Sequence, residues 1–427
     1  LQMQPKVGIE SISVHVPRYF VDLKTLAAAN DVDPGKYYHG LGVRRMAVVA
    51  PDEDPVTMAV EAARALIERN KLDGGRIGLL VVGTESGVDG AKPIAAYVHG
   101  LVGLSGECRT FDAKHACYSG TAALRMAADW CAVHGTQHRN KALVIATDIA
   151  RYDEGSAGEP TQGAGAVAML VGDEPHVLEL DLRNEAVFSR EVMDFWRPNY
   201  RSSAMVDGKT SISSYLSALK NTYLTHRAAS GFGWDDYEYL LFHVPFPKMA
   251  YKAFRVLCGL ERNDNADDQF DLRSGPALWA NRELGNIYSG SLYLSLAGLL
   301  EKGGRKVEGA RIGLFSYGSG CCAEFFTGRL GTDSKNWADK IGIGAGLDRR
   351  TELTYEQYLA FRKNGNALAC DGSYTGDPQG AAFGRLRKVF YCGIRDHRRM
   401  YFVNDNVAQV ARNSGIETRS RRSSVAV

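Results

Sequence analysis

The sequence contains no run of about 18 apolar residues, which removes a membrane-spanning helix from consideration. It also lacks a charge excess: 51 Lys and Arg against 49 Asp and Glu leave a formal net charge of +2 over 427 residues. Nucleic-acid binders usually carry a strongly basic face or motif, so no nucleic-acid partner is expected, while local basic patches for an acidic partner stay open. The eight cysteines, at 108, 117, 131, 258, 321, 322, 370 and 392, form no CxxC pair and are too sparse for a disulfide framework. Reduced thiols in a cytoplasmic protein are the expectation. Zinc needs Cys and His clustered at short spacing; "CRTFDAKHAC" is only a loose version, so no metal is expected. The amino end, "LQMQPKVGIE", lacks a charged segment leading into an apolar one, so no secretion signal is expected.

What is present is an alternation of two patterns. Apolar, β-branched runs read as buried strands: "VGIESISVHV", "RIGLLVVGT", "KALVIATDIA", "GAGAVAMLVG", "YEYLLFHVP" and "RIGLFSYGSG". Between them lie helical patterns. "DPVTMAVEAARALIERN" opens with an Asp cap and a proline, and "SGTAALRMAADWCAVHG" closes on Gly135, which suits a left-handed helix end. "SISSYLSALKNTYLTHRAA", "PKMAYKAFRVLCGL" and "SGSLYLSLAGLLEKG" add three more helices. Alternating strands and helices predict an α/β fold with buried sheets. A soft boundary near Gly172 to Glu179 divides the chain into 1–172 and 173–404. The Arg/Ser-rich segment 405–427 is expected to be a mobile tail.

A coarser unit of strand, polar or glycine-rich turn and helix recurs around Glu85, Cys117, His243 and Ser319. Ligands of α/β sheets bind beyond the carboxyl ends of strands, so these turns are where chemistry is sought. In "CYSGTAAL", Cys117 stands at the start of a helix with a small-residue first turn. Free backbone N–H groups and the helix dipole there favour a thiolate, although small residues also arise from tight helix packing. His243 in "LLFHVPFPKMA" ends a strand before two turn-fixing prolines, and reads as an acid, base or donor, or as a satisfied core histidine. Glu85 in "LLVVGTESGVDG" is either an exposed turn residue or, if buried, a carboxylate raised towards neutrality. The Gly318 and Gly320 pair around Ser319 forms a turn able to aim an N–H at an oxyanion, and it matches no nucleotide-binding pattern. Asn286, ahead of a helix, is a plain cap or an amide that orients a histidine or a carbonyl.

The order Glu85, Cys117, His243, Asn286, Ser319 resembles the 3-hydroxy-3-methylglutaryl (HMG) synthase family of the thiolase superfamily. The matching stretches are "GTESGVD", "KHACYSGTAAL", "TDIARY", "GEPTQGAGAVAML", "DFWRP", "VDGKTSISSYLSAL", "FHVPFPKMAYK", "GNIYSGSLY" and "FSYGSG". They run through residues 7 to 330. The resemblance implies a thiolase-like five-layer αβαβα fold from two related halves, and a homodimer. It implies Cys117 as nucleophile, Glu85 as general acid/base and His243 as polariser of the acceptor carbonyl. Asn286, Ser319 and Tyr152 would support the substrate and its oxyanion. No metal or redox cofactor is implied, only phosphopantetheine thioesters on CoA or an acyl carrier protein.

"HACYSG", "YGSGCCAEFFTG" and "GLDRR" resemble the polyketide β-branching members, of curacin-pathway type, which work on carrier-bound acyl groups. Arg44, Arg45, Arg197, Lys248 and Lys252 are the matching candidates for contact with phosphopantetheine or a carrier. Three rivals remain: a primary-metabolism HMG-CoA synthase, a ketoacyl synthase III without the base, and a catalytically silent thiolase-like interaction protein.

Overall fold

The computed structural model describes residues 6–135, 137–375, 389–404 and 425–426. The tail segment 405–427 lies outside the described residues except for Val425 and Ala426, which pair with Tyr401 and Met400.

Ten strands share one hydrogen-bonded sheet. In chain order they are β1 (Gly8–His15), β2 (Ile77–Gly83), β3 (Arg109–Ala113), β4 (Lys141–Ile149) and β5 (Ala164–Gly172), followed by β6 (Leu178–Leu180), β7 (Ala186–Ser189), β8 (Tyr239–Phe242), β9 (Arg311–Gly318) and β10 (Cys322–Leu330). The spatial order is β8-β9-β10-β6-β1-β5-β4-β2-β3, with β7 beside β6 along β10. Two related halves are visible in the pairing directions. In the first, β2 runs parallel to β4, which meets β5 and then β1 antiparallel. In the second, β8 runs parallel to β9, which meets β10 and then β6 and β7 antiparallel. The short β6 joins the halves, pairing with β1 at Gly8 and Ile9 and with β10 at Gly328 to Leu330.

Strand alternation builds the layers. Leu79 and Val81 of β2 face the central core, while Leu80 and Val82 face an outer one. The outer core of the first half packs under α1 (Pro55–Asn70) and α2 (Ile94–Val102). The central core holds α3 (Ser119–His134) and α6 (Ser291–Gly303) between the two halves of the sheet. In the second half, Leu241, Leu314 and Phe326 face the centre, and Leu240, Phe242, Phe315 and Phe325 face α4 (Gly208–Ser230) and α5 (Pro247–Leu260). The result is the thiolase-like five-layer αβαβα arrangement.

Local chemistry sets the helix ends. Asp54 accepts the Thr57 N–H while Thr57 Oγ1 accepts the Asp54 N–H, both at 2.9 Å, with Pro55 at the first helical position. Gly135 behaves differently from the expectation: it ends α3 in the right-handed conformation, at φ −56°. Ser319 also departs from the strand–turn–helix unit, because its turn links β9 to β10 as a hairpin in which Gly318 stands opposite Cys322.

Candidate active site

Cys117 follows the end of β3 and precedes α3 by two residues. Ala116 before it takes a left-handed backbone at φ 41°, unusual for a residue with a Cβ, and this sharpens the turn. The turn is braced locally: the His115 N–H donates to Ser119 Oγ, which donates to the Ala116 carbonyl, both at 2.7 Å. Close packing explains the small residues around it. A Cβ on Gly83 would lie 2.5 Å from the Ser119 carbonyl oxygen, one on Gly318 2.5 Å from that of His115, and one on Gly120 would run into Ser289.

The expectation of a lowered Cys117 pKa is corrected by its surroundings. Cys117 is 8 % exposed, and burial together with Glu85, Asp148 and Asp194 pushes the thiol well above its ordinary value. The helix dipole is outweighed by the loss of water around the sulfur, with the nearby acidic groups adding to it. The resting group is a neutral thiol, whose Sγ donates to Glu85 Oε1 at 3.3 Å.

Glu85, two residues past β2, is 7 % exposed, so it is not the surface turn residue that its glycines allowed. Burial first, and Asp148 second, raise its pKa from 4.5 to about 8, against opposing pulls from Cys117, Arg197 and Lys114. Asp148, near the end of β4, anchors this corner. Its fully buried carboxylate accepts the Glu85 N–H at 2.9 Å, Thr84 Oγ1 at 3.0 Å and the Ser289 N–H at 3.0 Å, as well as the Ser289 hydroxyl.

His243 follows β8. Its N–H donates to the Phe315 carbonyl and its own carbonyl accepts from Tyr215 OH, both at 2.7 Å, so its backbone is held from two sides. The side chain is buried, which pushes the imidazole pKa down to about 3 and keeps it neutral. Nδ1 lies 2.7 Å from Ser291 Oγ, the first residue of α6.

Among the other expected residues, Tyr152 is buried next to Phe195, with ring centroids 6.2 Å apart. Asn286 accepts the Tyr288 N–H on Oδ1 at 2.9 Å, just ahead of the single turn Tyr288–Gly290 that precedes α6. Ser319 is half-buried in a hairpin whose Gly320 N–H donates to Asp194 at 2.9 Å. Arg197 is half-buried, and its guanidinium donates to the Glu85 carbonyl, which places it beside that residue. Arg45 pairs with Glu283 at 2.8 Å and Asp22 at 3.6 Å and stays partly exposed. Arg44, Lys248 and Lys252 are exposed. Gly42 brings the Arg44 segment against the start of α5, since a Cβ there would lie 3.6 Å from the Lys248 nitrogen.

Asp148, Asp194 and Tyr288 were not singled out from the sequence. Tyr288 sits at φ 42° in one buried cluster with Cys117 and Ala150. An aspartate closing the otherwise apolar "ALVIATDI" was the signal available for Asp148.

Comparison with known proteins bears on this arrangement. The family model for the hydroxymethylglutaryl-coenzyme A synthase N-terminal region matches residues 3–176, and that for the C-terminal region matches 177–266 and 263–401. The chain belongs to the HMG-CoA synthase family. The hydroxymethylglutaryl-CoA synthase of Enterococcus faecalis is 42% identical over 355 residues, covering 83% of this chain and 91% of that protein. The polyketide biosynthesis 3-hydroxy-3-methylglutaryl-ACP synthase PksG of Bacillus subtilis is 36% identical over 375 residues, covering 84% and 88%. The solved curacin biosynthetic pathway HMG synthase in complex with holo donor-ACP superposes with a TM-score of 0.86 at 35% identity, covering 93% of this chain and all of that one. As a member of the HMG-CoA synthase family, the chain is an acyl-condensing enzyme of the HMG synthase type.

Burial of Glu85 in this HMG synthase has a measurable consequence for stability. The folded protein holds Glu85 neutral up to about pH 8, whereas the unfolded chain ionises it above 4.5. Its contribution to stability is full at low pH and is lost as pH rises through this window, by a total on the order of 5 kcal/mol. Thermal unfolding of Glu85→Gln against the unsubstituted protein should show a Tm advantage that grows between about pH 5 and about pH 8 and then levels off. A constant Tm difference across that range would contradict a buried neutral carboxyl.

Proposed function

We propose that Cys117 holds an acetyl group, that Glu85 removes a proton from its methyl, and that His243 receives the acceptor ketone. The observation that carries this reading is the buried Cys117–Glu85 pair at 3.3 Å, a nucleophile and a raised carboxylate in one pocket. In the ionised form of Glu85, whose share grows as pH rises towards about 8, the carboxylate takes the Cys117 proton as the sulfur attacks the donor thioester and passes it to the departing thiol. A thioester keeps the methyl protons acidic, so the Glu85 carboxylate can take one and leave an enolate. Backbone N–H groups of Cys117 and the Ser319 turn hold the enolate oxygen, with Asn286 and Tyr152 lining the substrate. The enolate carbon attacks the β-ketone of an acetoacetyl-type thioester, the neutral His243 donates a hydrogen bond to the forming alkoxide, and the proton that Glu85 took from the methyl goes to that alkoxide, giving the alcohol and restoring the carboxylate. Water then cleaves the Cys117–acyl bond, giving a free carboxylate and regenerating the thiol.

The acyl groups arrive on phosphopantetheine, and the proposed handle is an acyl carrier protein, for β-branching of a polyketide chain. Lys248, Lys252 and Arg255 form an exposed stripe at positions i, i+4 and i+7 of α5, directly after His243, with exposed Arg44 adjoining. Such a face complements an acidic carrier. Free CoA as the handle is the second reading, favoured by the 42% identity to the Enterococcus faecalis hydroxymethylglutaryl-CoA synthase. Pairing of two copies along β3, the last strand of the sheet, is the proposed route to a homodimer, because its outer edge has no partner strand among the described residues.

Turnover with acetyl- and acetoacetyl-carrier proteins, against the two free CoA esters, separates the readings. At least about a tenfold higher kcat/KM is expected with carriers, with an advantage that shrinks as salt rises. Equal or better turnover with free CoA esters would overturn the carrier reading and leave the primary-metabolism one.

A further inference from the structure

We infer that Ser291 is a positioning residue that holds His243 in the tautomer with its proton on Nε2. Ser291 Oγ lies 2.7 Å from His243 Nδ1, and it also accepts the Val244 N–H at 3.3 Å. A hydroxyl has one proton to give. The Val244 N–H takes one lone pair of this oxygen, and Nδ1 is the one acceptor that Ser291 Oγ meets among the described residues, so the hydroxyl proton is directed at Nδ1. A neutral imidazole accepting at Nδ1 carries its hydrogen on Nε2. Nε2 makes no hydrogen bond to the described residues, so its N–H is available to a ligand.

The serine is itself firmly placed. It opens α6 and is fully buried. Its carbonyl accepts from Asn281 Nδ2 at 3.1 Å and Ser295 Oγ at 3.2 Å, and Ser295 Oγ also reaches Asn281 Oδ1 at 3.0 Å. This buried polar knot fixes the height of Ser291 against the strand end that carries His243. The ring is therefore oriented from behind, and its donor side is presented to the forming alkoxide. No step of the acetyl transfer to Cys117 needs that donor.

The inference rests on the reading of His243 given above, and two independent readouts test it. In unsubstituted protein carrying 15N-labelled histidine, His243 Nδ1 should show the shift of an unprotonated, hydrogen-bonded ring nitrogen and Nε2 that of a protonated one. A protonated Nδ1 would overturn the inference whatever the activity. In Ser291→Ala, condensation should fall by about 10- to 100-fold while acetylation of Cys117 stays within about twofold, with recovery in Ser291→Thr, which keeps the hydroxyl. Equal losses in both steps, or none, would overturn it. If His243→Ala leaves condensation unchanged, the reading of His243 fails, and the labelled spectrum still decides the tautomer.

Discussion

Cys117→Ala is expected to lower condensation by at least about ten-thousand-fold and to abolish any acetyl adduct on the protein, read by mass spectrometry after adding an acetyl donor. The effect is this large because the sulfur does two things at once. It captures the acetyl group as an enzyme-bound thioester, and it keeps the methyl protons acidic enough for a carboxylate to remove. Cys117→Ser separates the two, since an oxygen ester retains the covalent link and loses the acidity. An acetylated but non-condensing Ser variant is the expected result. Condensation by Cys117→Ala at a comparable rate would show that the acetyl group never passes through this residue.

Glu85→Gln is expected to reduce condensation by about a thousand-fold or more, with a smaller effect on acetylation. In the acetylation step the departing thiolate of the donor offers a second destination for the thiol proton. In the enolisation step no other base among the described residues touches Cys117. The pH dependence follows from the burial of Glu85. The base form of the carboxylate grows as pH rises through about 8, so the condensation rate should climb across that range and then level off. Asp148 raises both Glu85 and the Cys117 thiol, while the hydrogen bond from Cys117 pulls Glu85 back down, so the apparent value belongs to the interacting groups together. A thousand-fold loss in Glu85→Gln, with the pH rise removed, would also exclude a ketoacyl synthase III type of reaction, which works without this base.

The sequence made the continuously buried elements legible. β2, β5 and β8 lie on unbroken apolar runs, β1, β4 and β9 on apolar runs interrupted by a few polar residues, and α5 follows its spacing and leading proline. The strands that escaped notice have physical reasons to be hidden. β3, "RTFDA", lies at the sheet edge and is only half-buried, so it needs no apolar run. β10 carries Glu324 in its interior, which breaks the apolar pattern. That carboxylate is tolerated because Arg125 meets it at 3.0 Å and the Tyr118 hydroxyl at 2.6 Å, partners from the other half of the chain and invisible to a local pattern.

The site shows the same division. Glu85, Cys117 and His243 stand out because each follows a strand, and the fold brings Glu85 and Cys117 into contact. Their protonation states were not legible. The helix start argues for a thiolate at Cys117, yet burial first, and then Glu85 after β2, Asp148 in β4 and Asp194 before α4, raise the thiol instead. Asp148 belongs to the same lesson. Its importance lies in joining Thr84, Glu85 and Ser289, a convergence that only the folded chain creates.

The most direct test of the central claim is deuterium exchange into the acetyl group held on Cys117. The protein is acetylated in heavy water without an acceptor, and the Cys117 peptide is weighed. Unsubstituted protein should gain deuterium in the acetyl methyl, while Glu85→Gln should carry the acetyl group without it. Equal deuterium in both would show that Glu85 is not the base, and an acetyl group on any residue other than Cys117 would contradict the account at its root.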